Sequence, residues 1–349
     1  MRVTGTLQRE AWEAKVLPPV EKVAPGLWSI PVPIPDNPLR YVLVYVLELD
    51  DGVALVDAGW DTPEAQAALE AGLGVAGGSI ADVRAVVVTH IHPDHYGLAG
   101  RVREASGAWI GIHPADAALL EGRYVEADHL VAQMADLLEI SGVPAEILPD
   151  LASSSMQIRA FVHMAVPDRF IEDGDALGLS GWDLRAVWTP GHSPGHLCFY
   201  SPERRLLLAG DHVLPRISPN ITFHTQQIRN PLADYLESLT KVGALDCDEV
   251  LPGHEWRFAG LLERTEELKA HHATRLAEIL TVLGREDRPL SCWELTVRLT
   301  WSRPLDVTSP FLQRAASGET LAHLVLLEAD GAVHREPGRP ATFSLGQGR

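Results

Sequence analysis

The stretch His90-Ile91-His92-Pro93-Asp94-His95 decides how this chain is read. It follows the apolar run Val83 to Thr89 (VRAVVVT), which reads as a buried strand, and precedes Gly97-Leu98-Ala99-Gly100, where a helix can begin. Four potential metal ligands occupy six positions, in a chain with 15 His among 349 residues. A lone histidine at a strand end is ordinarily a cap or a solvated turn residue. Three imidazoles and a carboxylate on one turn instead match the donors that zinc and other first-row metals take.

Working outward, the same pattern recurs. Tyr41 to Leu49 (YVLVYVLEL) and Val53 to Asp57 flank the turn Asp50-Asp51-Gly52 and read as a hairpin. Asp57 closes the second strand, either as a turn cap or as a carboxylate that orients a metal-binding imidazole. Thr62-Pro63-Glu64 then caps a helix running to about Leu73. Beyond His95 come a helix near Leu98 to Ala105 and a strand at Trp109 to Ile112, an order that indicates a layered α/β domain. From about 114 to 168 the pattern turns helical and apolar (Leu130, Met134, Leu137, Leu138, then Met156, Ile158, Phe161), as an insertion would. Strands are expected again at Asp175 to Leu179 and at Trp182 to Trp188. The latter delivers Thr189-Pro190-Gly191-His192-Ser193-Pro194-Gly195-His196. Later strands end in Gly210-Asp211-His212 and Pro252-Gly253-His254, so every candidate ligand lies just past an apolar strand. A long helix from about Phe258 to Leu283, two helical units and a hairpin at Val333 and Thr342 to Leu345 complete the reading.

Composition narrows the class. Hydrophobic residues make up 46 % and charged residues 22 %, the balance of a globular protein that can bury a core. The net charge of −18 argues against a general binder of nucleic acid or anionic membrane, which needs a basic face. From Arg257 onward acidic and basic residues are equal at 12 each, so the first 256 residues hold the entire excess. Cys198, Cys247 and Cys292 are widely spaced and form neither a disulfide framework nor a cysteine zinc knuckle. The amino terminus lacks the apolar core of a signal peptide, and no stretch approaches 18 uncharged apolar residues, so a cytoplasmic protein with no membrane partner is expected.

The motifs THIHPDH, TPGHSPGH, LLLAGD and LPGH, in that order after Leu55-Val56-Asp57-Ala58-Gly59, resemble those of the metallo-β-lactamase fold. The resemblance implies a four-layer αββα sandwich over residues 1–256 with the helical insertion at about 114–168. A linking helix and a small winged-helix-like domain would follow over 257–349, similar to the glyoxalase II-like and small endoribonuclease-like branches. It further implies that His90, His92 and His192 bind one metal and that Asp94, His95 and His254 bind a second. Asp211 would bridge the two. Asp57 would stand behind the ligands, as would Ser193 and His196, for which a turn-stabilising role is the alternative. Two zinc ions are the expected cofactors, with iron or manganese as alternatives.

A two-metal hydrolase using a bridging hydroxide on a small acyl substrate (thioester, ester or lactone) is therefore expected, with Asp94 relaying a proton. The fold also hosts an endoribonuclease or phosphodiesterase and a mononuclear iron sulfur dioxygenase, and the metal motif does not choose among them. Nucleic acid is disfavoured as a partner by charge. A homo-oligomer and a non-enzymatic tail module are further expectations. Among the remaining histidines, His163, His212 and His224 are candidates to line a pocket, while His113, His271 and His272 read as surface or packing residues.

Overall fold

The structure is a computed structural model that describes residues 1–346 apart from 155, 227 and 228. Position 155 of the expected insertion and positions 347–349 of the expected C-terminal unit lie outside the described residues.

Strand Tyr41–Leu49 shows why two sheets form. Tyr41, Leu43, Tyr45 and Leu47 point to one apolar core, while Val42, Val44 and Val46 on the alternate face point to another. A strand covered on both faces needs no polar residue, which explains the apolar run Tyr41 to Leu47, and Glu48 stands where that cover ends. It sits third in a seven-stranded sheet whose order is Glu21–Ala24, Leu27–Pro33, Tyr41–Leu49, Gly52–Val56, Val83–Val87, Trp109–Ile112 and Arg169–Phe170. From Gly52–Val56 onward the neighbours are parallel. The second sheet has six strands, in the order Arg2–Val3, Phe258–Ala259, Glu249–Pro252, Leu206–Gly210, Leu197–Ser201 and Arg185–Trp188.

Leu43, Leu47, Phe199, Leu208 and Leu251 fill the space between the sheets. Helices Pro63–Val75 and Ala99–Ser106 cover the outer face of the first sheet through Leu69, Leu73 and Val102. Helices Pro231–Gly243 and Leu261–Leu283 cover the second through Leu239, Val242 and Leu268. The result is the expected four-layer αββα sandwich, with strand Phe258–Ala259 and helix Leu261–Leu283 contributing to it from beyond residue 256. Its parallel pairs, Gly52–Val56 with Val83–Val87 and Leu206–Gly210 with Glu249–Pro252, deliver their C-terminal ends to one edge. Asp57, the His90 turn, Asp211 and His254 all follow those ends.

Some elements differ from expectation. The polar lead-in folds into helix Thr6–Ala14, which buries Trp12. Asp175 to Leu179 is not a strand: a single bridge, Ala176 to Arg185, remains, because Gly174, Gly178 and Gly181 at φ +85°, +65° and +78° coil the backbone. Phe258–Ala259 pairs with Arg2–Val3 instead of starting the helix, and Gly260 at φ +100° makes the break before Leu261.

After helix Leu261–Leu283 come strand Leu290–Ser291, helix Cys292–Thr296, helix Pro310–Ala329 and the hairpin Val333–Glu336 with Thr342–Leu345. The three short strands form one sheet over a core of Ile279, Leu283, Leu295, Leu324, Leu327 and Phe343. Within the insertion, helices Ala127–Ile140 and Leu148–Ser153 pack around Leu138, Val143 and Leu151, with Trp293 of the C-terminal segment against them. The Trp293 N–H donates to the Ser141 carbonyl at 2.8 Å, so insertion and tail are joined directly.

Candidate metal centre

Pro93 opens the short helix Pro93–Tyr96, with His92 at its N-cap. That geometry sends Asp94 and His95 into the same space as His90 and His92. His192, Asp211 and His254 reach the space from the second sheet. The donor atoms converge in three overlapping groups: His90, His92 and His192; His90, His95 and Asp211; and Asp94, His95 and His254. Within each group the donor atoms lie within 4.8 Å of one another.

Hydrogen bonds on the far side of each ring set which nitrogen faces the centre. His95 Nδ1 donates to Asp57 Oδ2 at 2.7 Å, His192 Nδ1 to the Asn220 carbonyl at 2.9 Å, and His254 Nδ1 to the Tyr41 carbonyl at 2.8 Å. In each ring the Nε2 lone pair is therefore turned inward. His90 Nδ1 lies 3.0 Å from Thr89 Oγ1, whose own proton goes to Asp57, so His90 also offers Nε2. His92 instead presents Nδ1, 2.9 Å from His90 Nε2. Two ring nitrogens that close need a proton or a cation between or beside them.

The fit to a metal rests on atoms left over. His95 Nε2, His192 Nε2, His254 Nε2 and Asp211 Oδ1 are buried with no hydrogen-bond partner. Asp211 Oδ1 stands 3.3 Å from both His95 Nε2 and His254 Nε2, while its Oδ2 stands 3.6 Å from His192 Nε2. Buried polar atoms are rarely orphaned, and imidazole with carboxylate is a donor set for divalent ions of the first row. The cluster fits a divalent metal.

Electrostatics divide it into two halves. Burial, then the neighbouring imidazoles, holds His90 and His92 well below the usual imidazole range. Burial opposes charging at His254 too, but Asp211 and Asp94 outweigh it and push it up to about 10. His95 rises for the same reason, with Asp57 the largest contributor after burial. Around His95 and His254 the carboxylates thus favour positive charge, which an ion supplies as well as protons do.

Asp57 adopts φ +64°, a left-handed conformation that Asp tolerates better than most residues. Besides His95 it receives the Thr89 N–H at 2.8 Å. His196 lies behind the centre: its Nδ1 meets Thr189 Oγ1 at 2.8 Å and its Nε2 accepts the Asp211 N–H at 3.2 Å, so it steadies Asp211 more directly than His192. Ser193 donates to Asp116 at 2.8 Å.

Asp116 is the residue the sequence concealed. Fully buried, it accepts the Ile91 N–H at 2.8 Å, the Ser193 hydroxyl at 2.8 Å and the Gly195 N–H at 2.6 Å, tying the first histidine motif to the second. Tyr124 adds a bond from its hydroxyl to the Ile91 carbonyl at 2.6 Å. No local motif marks either residue. Of the other histidines, His163 pairs with Glu104 away from the centre, His212 is buried between His196 and Tyr235, and His224 lines the cleft.

That cleft, of about 150 Å³, leads outward from His92 and His192. Leu130, Met134 and Met156 of the insertion form one wall, and Phe311 and Leu321 of helix Pro310–Ala329 form the other. The Phe223 N–H donates to the Gly318 carbonyl of that helix at 3.0 Å, fixing the loop that carries Asn220 behind His192.

The layered fold with a histidine and aspartate cluster at its strand ends defines a class, and the family model for the metallo-beta-lactamase superfamily matches residues 37–254. The chain belongs to that superfamily and is a hydrolase with a cluster suited to divalent metal. Among solved structures it is similar to a metallo-beta-lactamase family protein of Thermus thermophilus, at 36 % identity and TM-score 0.81, covering 93 % of this chain and 100 % of that one. A beta-lactamase domain protein of Burkholderia ambifaria is similar at 29 % identity and TM-score 0.79, covering 94 % of each. A probable metallo-hydrolase of Bacillus subtilis, YqjP, is 27 % identical over 84 % of this chain and 89 % of its own length. The lactamase-like protein vrtG of Penicillium aethiopicum is 28 % identical over 58 % of this chain, and the match spans 61 % of that protein. No helix among the described residues is long and apolar enough to cross a membrane.

Proposed function

We propose that the protein is a two-zinc hydrolase of a small acyl compound, a thioester, ester or lactone. The observation that carries this reading is the convergence of His90, His92 and His192 on one side and Asp94, His95 and His254 on the other, with Asp211 near both, where His95 Nε2, His192 Nε2, His254 Nε2 and Asp211 Oδ1 are left without hydrogen-bond partners. Bound there, two divalent ions supply a water acidified toward neutral pH and a Lewis-acid contact for a carbonyl oxygen.

The chain's own residues do the rest. Asp57, Asn220 and Tyr41 hold three imidazoles in the tautomer that leaves Nε2 free. Asp94 Oδ2, 3.2 Å from His254 Nε2, would take a proton from the attacking water and pass it to the leaving group. The apolar walls of the cleft exclude water and suit an acyl chain. The order of helices and strands after Gly260 supports a winged-helix-like reading of the tail, but its longest described helix after Leu283 is spent on walling the cleft, which favours a small molecule over RNA.

Metal analysis of the purified chain, combined with a screen of thioesters, lactones, β-lactams, phosphodiesters and RNA, tests the reading. The expected result is two zinc ions per chain and chelator-sensitive turnover confined to acyl substrates. One iron per chain with little zinc, or cleavage of RNA alone, would overturn it.

A further inference from the structure

The metal cluster accounts for only one end of the cleft. In a protein of net charge −18, Arg123, Arg314 and His224 line this same cleft. Arg123 sits on helix Leu120–Tyr124, held in place by the neighbouring Tyr124 hydroxyl bond to Ile91. Its guanidinium is close enough to act electrostatically on His92 and on the buried Asp116 carboxylate, so it stands near the metal centre. His224 Nδ1 accepts the Gln226 N–H at 3.3 Å, which leaves Nε2 carrying the proton as a neutral donor. Burial, and then Arg123 and Arg314, drive this imidazole down to about 3. Arg314 is itself pulled down to about 10, first by burial and then by Arg123. Two guanidinium groups and a neutral N–H donor lining one partly buried cleft are suited to hold an anion.

Resting on the reading of the centre as an acyl hydrolase, we infer that Arg123, Arg314 and His224 form an anion subsite for the substrate. The substrate is then an acyl compound that carries a carboxylate or phosphate, its apolar part lying against Leu130, Met134 and Met156 of the same cleft. This resolves a conflict in charge: the acidic surface does not attract anions, but the cleft holds its own cations.

The test is calorimetric titration of the full chain, metals in place, with decanoate, decyl phosphate and decanol as probes. At least one of the two anions should bind tenfold or more tightly than decanol. Arg123→Gln should remove most of that preference while leaving decanol affinity within twofold, and Arg314→Gln should act in the same direction. Tighter binding of decanoate assigns the carboxylate, and tighter binding of decyl phosphate the phosphate. Thermal melting verifies that each variant is folded, and Arg123→Lys replaces Arg123→Gln should the latter fail, with a smaller loss expected. An anion preference unchanged in both arginine variants is borne by the metals and overturns the inference, as does equal affinity for all three probes. Because binding is read without turnover, an arginine-dependent preference in a protein that hydrolyses no acyl substrate would retire the acyl-substrate reading and keep the subsite.

Discussion

Asp57 Oδ2 lies 2.7 Å from His95 Nδ1, and the opposite oxygen of the same buried carboxylate receives the backbone N–H of Thr89 at 2.8 Å. One acid thereby fixes both the tautomer of a donor imidazole and the turn that leads into His90. Asp57→Asn keeps a residue that tolerates φ +64° but loses the charge behind His95. Metal affinity should fall by about 10- to 100-fold, as read by competition with a chromophoric chelator. An unchanged affinity would reduce Asp57 to a turn cap.

Asp116 acts on the protein's cohesion. Asp116→Ala leaves the Ile91 and Gly195 N–H groups and the Ser193 hydroxyl without their acceptor in a buried place, at a cost of about 3 kcal/mol or more. Ser193→Ala removes one of the three bonds and should cost about 1 kcal/mol. Chemical denaturation of both variants measures the difference.

Gly253 has no room for a side chain. A Cβ there would lie 2.7 Å from Asp211 Oδ1 and 2.8 Å from His95 Cε1. Gly253→Ala should displace the residue between the two donor groups and lower bound metal per chain, measured by elemental analysis, with the far-UV circular dichroism spectrum retained. Full metal loading in this variant would show that the centre has slack the geometry does not reveal.

Helices Leu261–Leu283 and Pro310–Ala329 meet at His272 and His323, whose Nδ1 and Nε2 are 3.1 Å apart. The pair is faced by Tyr235, His271, Arg275 and Glu319. Burial first, then neighbouring cationic or imidazole groups, lowers His272 to about 3, and burial takes His323 to about 4 despite its bond to the Glu319 carbonyl. Unfolded, each titrates near ~6.5. Between those values the unfolded chain binds more protons, so this stabilisation is complete above about pH 6.5 and is lost as pH falls toward 4. The melting temperature should drop from about pH 7 to about pH 5. The double variant His272→Phe/His323→Phe should show a shallower drop, and an equal slope would sink the assignment.

How much of this was legible in the sequence depended on range. The ligand residues stand in short motifs after apolar strands, and a core strand such as Tyr41–Leu49 announces itself through its apolar run, so a layered α/β domain and a donor cluster could be read from the residues, while the four layers and the pairing of ligands followed from the motifs' resemblance to a family. Asp116 could not, because its partners Ile91, Ser193 and Gly195 come from two distant motifs and nothing near it in sequence shows that they meet. Asn220 contributes a backbone carbonyl, which leaves no mark on residue type. The lead-in concealed helix Thr6–Ala14 because only Gln8, Ala11 and Trp12 are buried on it, too few for a periodic signal. Asp175 to Leu179 misled for the opposite reason: apolar residues suggested a strand where three glycines coil the chain.

The hydrogen bond from Phe223 to Gly318 has a consequence for how the polypeptide can be cut. A version ending near residue 256 would retain every donor in the metal cluster. It would also lose Phe311, Arg314 and Leu321, the brace on the Asn220 loop and the docking of Trp293 on the insertion. Strand Phe258–Ala259 and helix Leu261–Leu283 would go with them, so the second sheet would lose part of its cover as the cleft lost one wall. The segment after residue 256 thus belongs to the sandwich as well as to the cleft, and exchanging it for another module should disturb both.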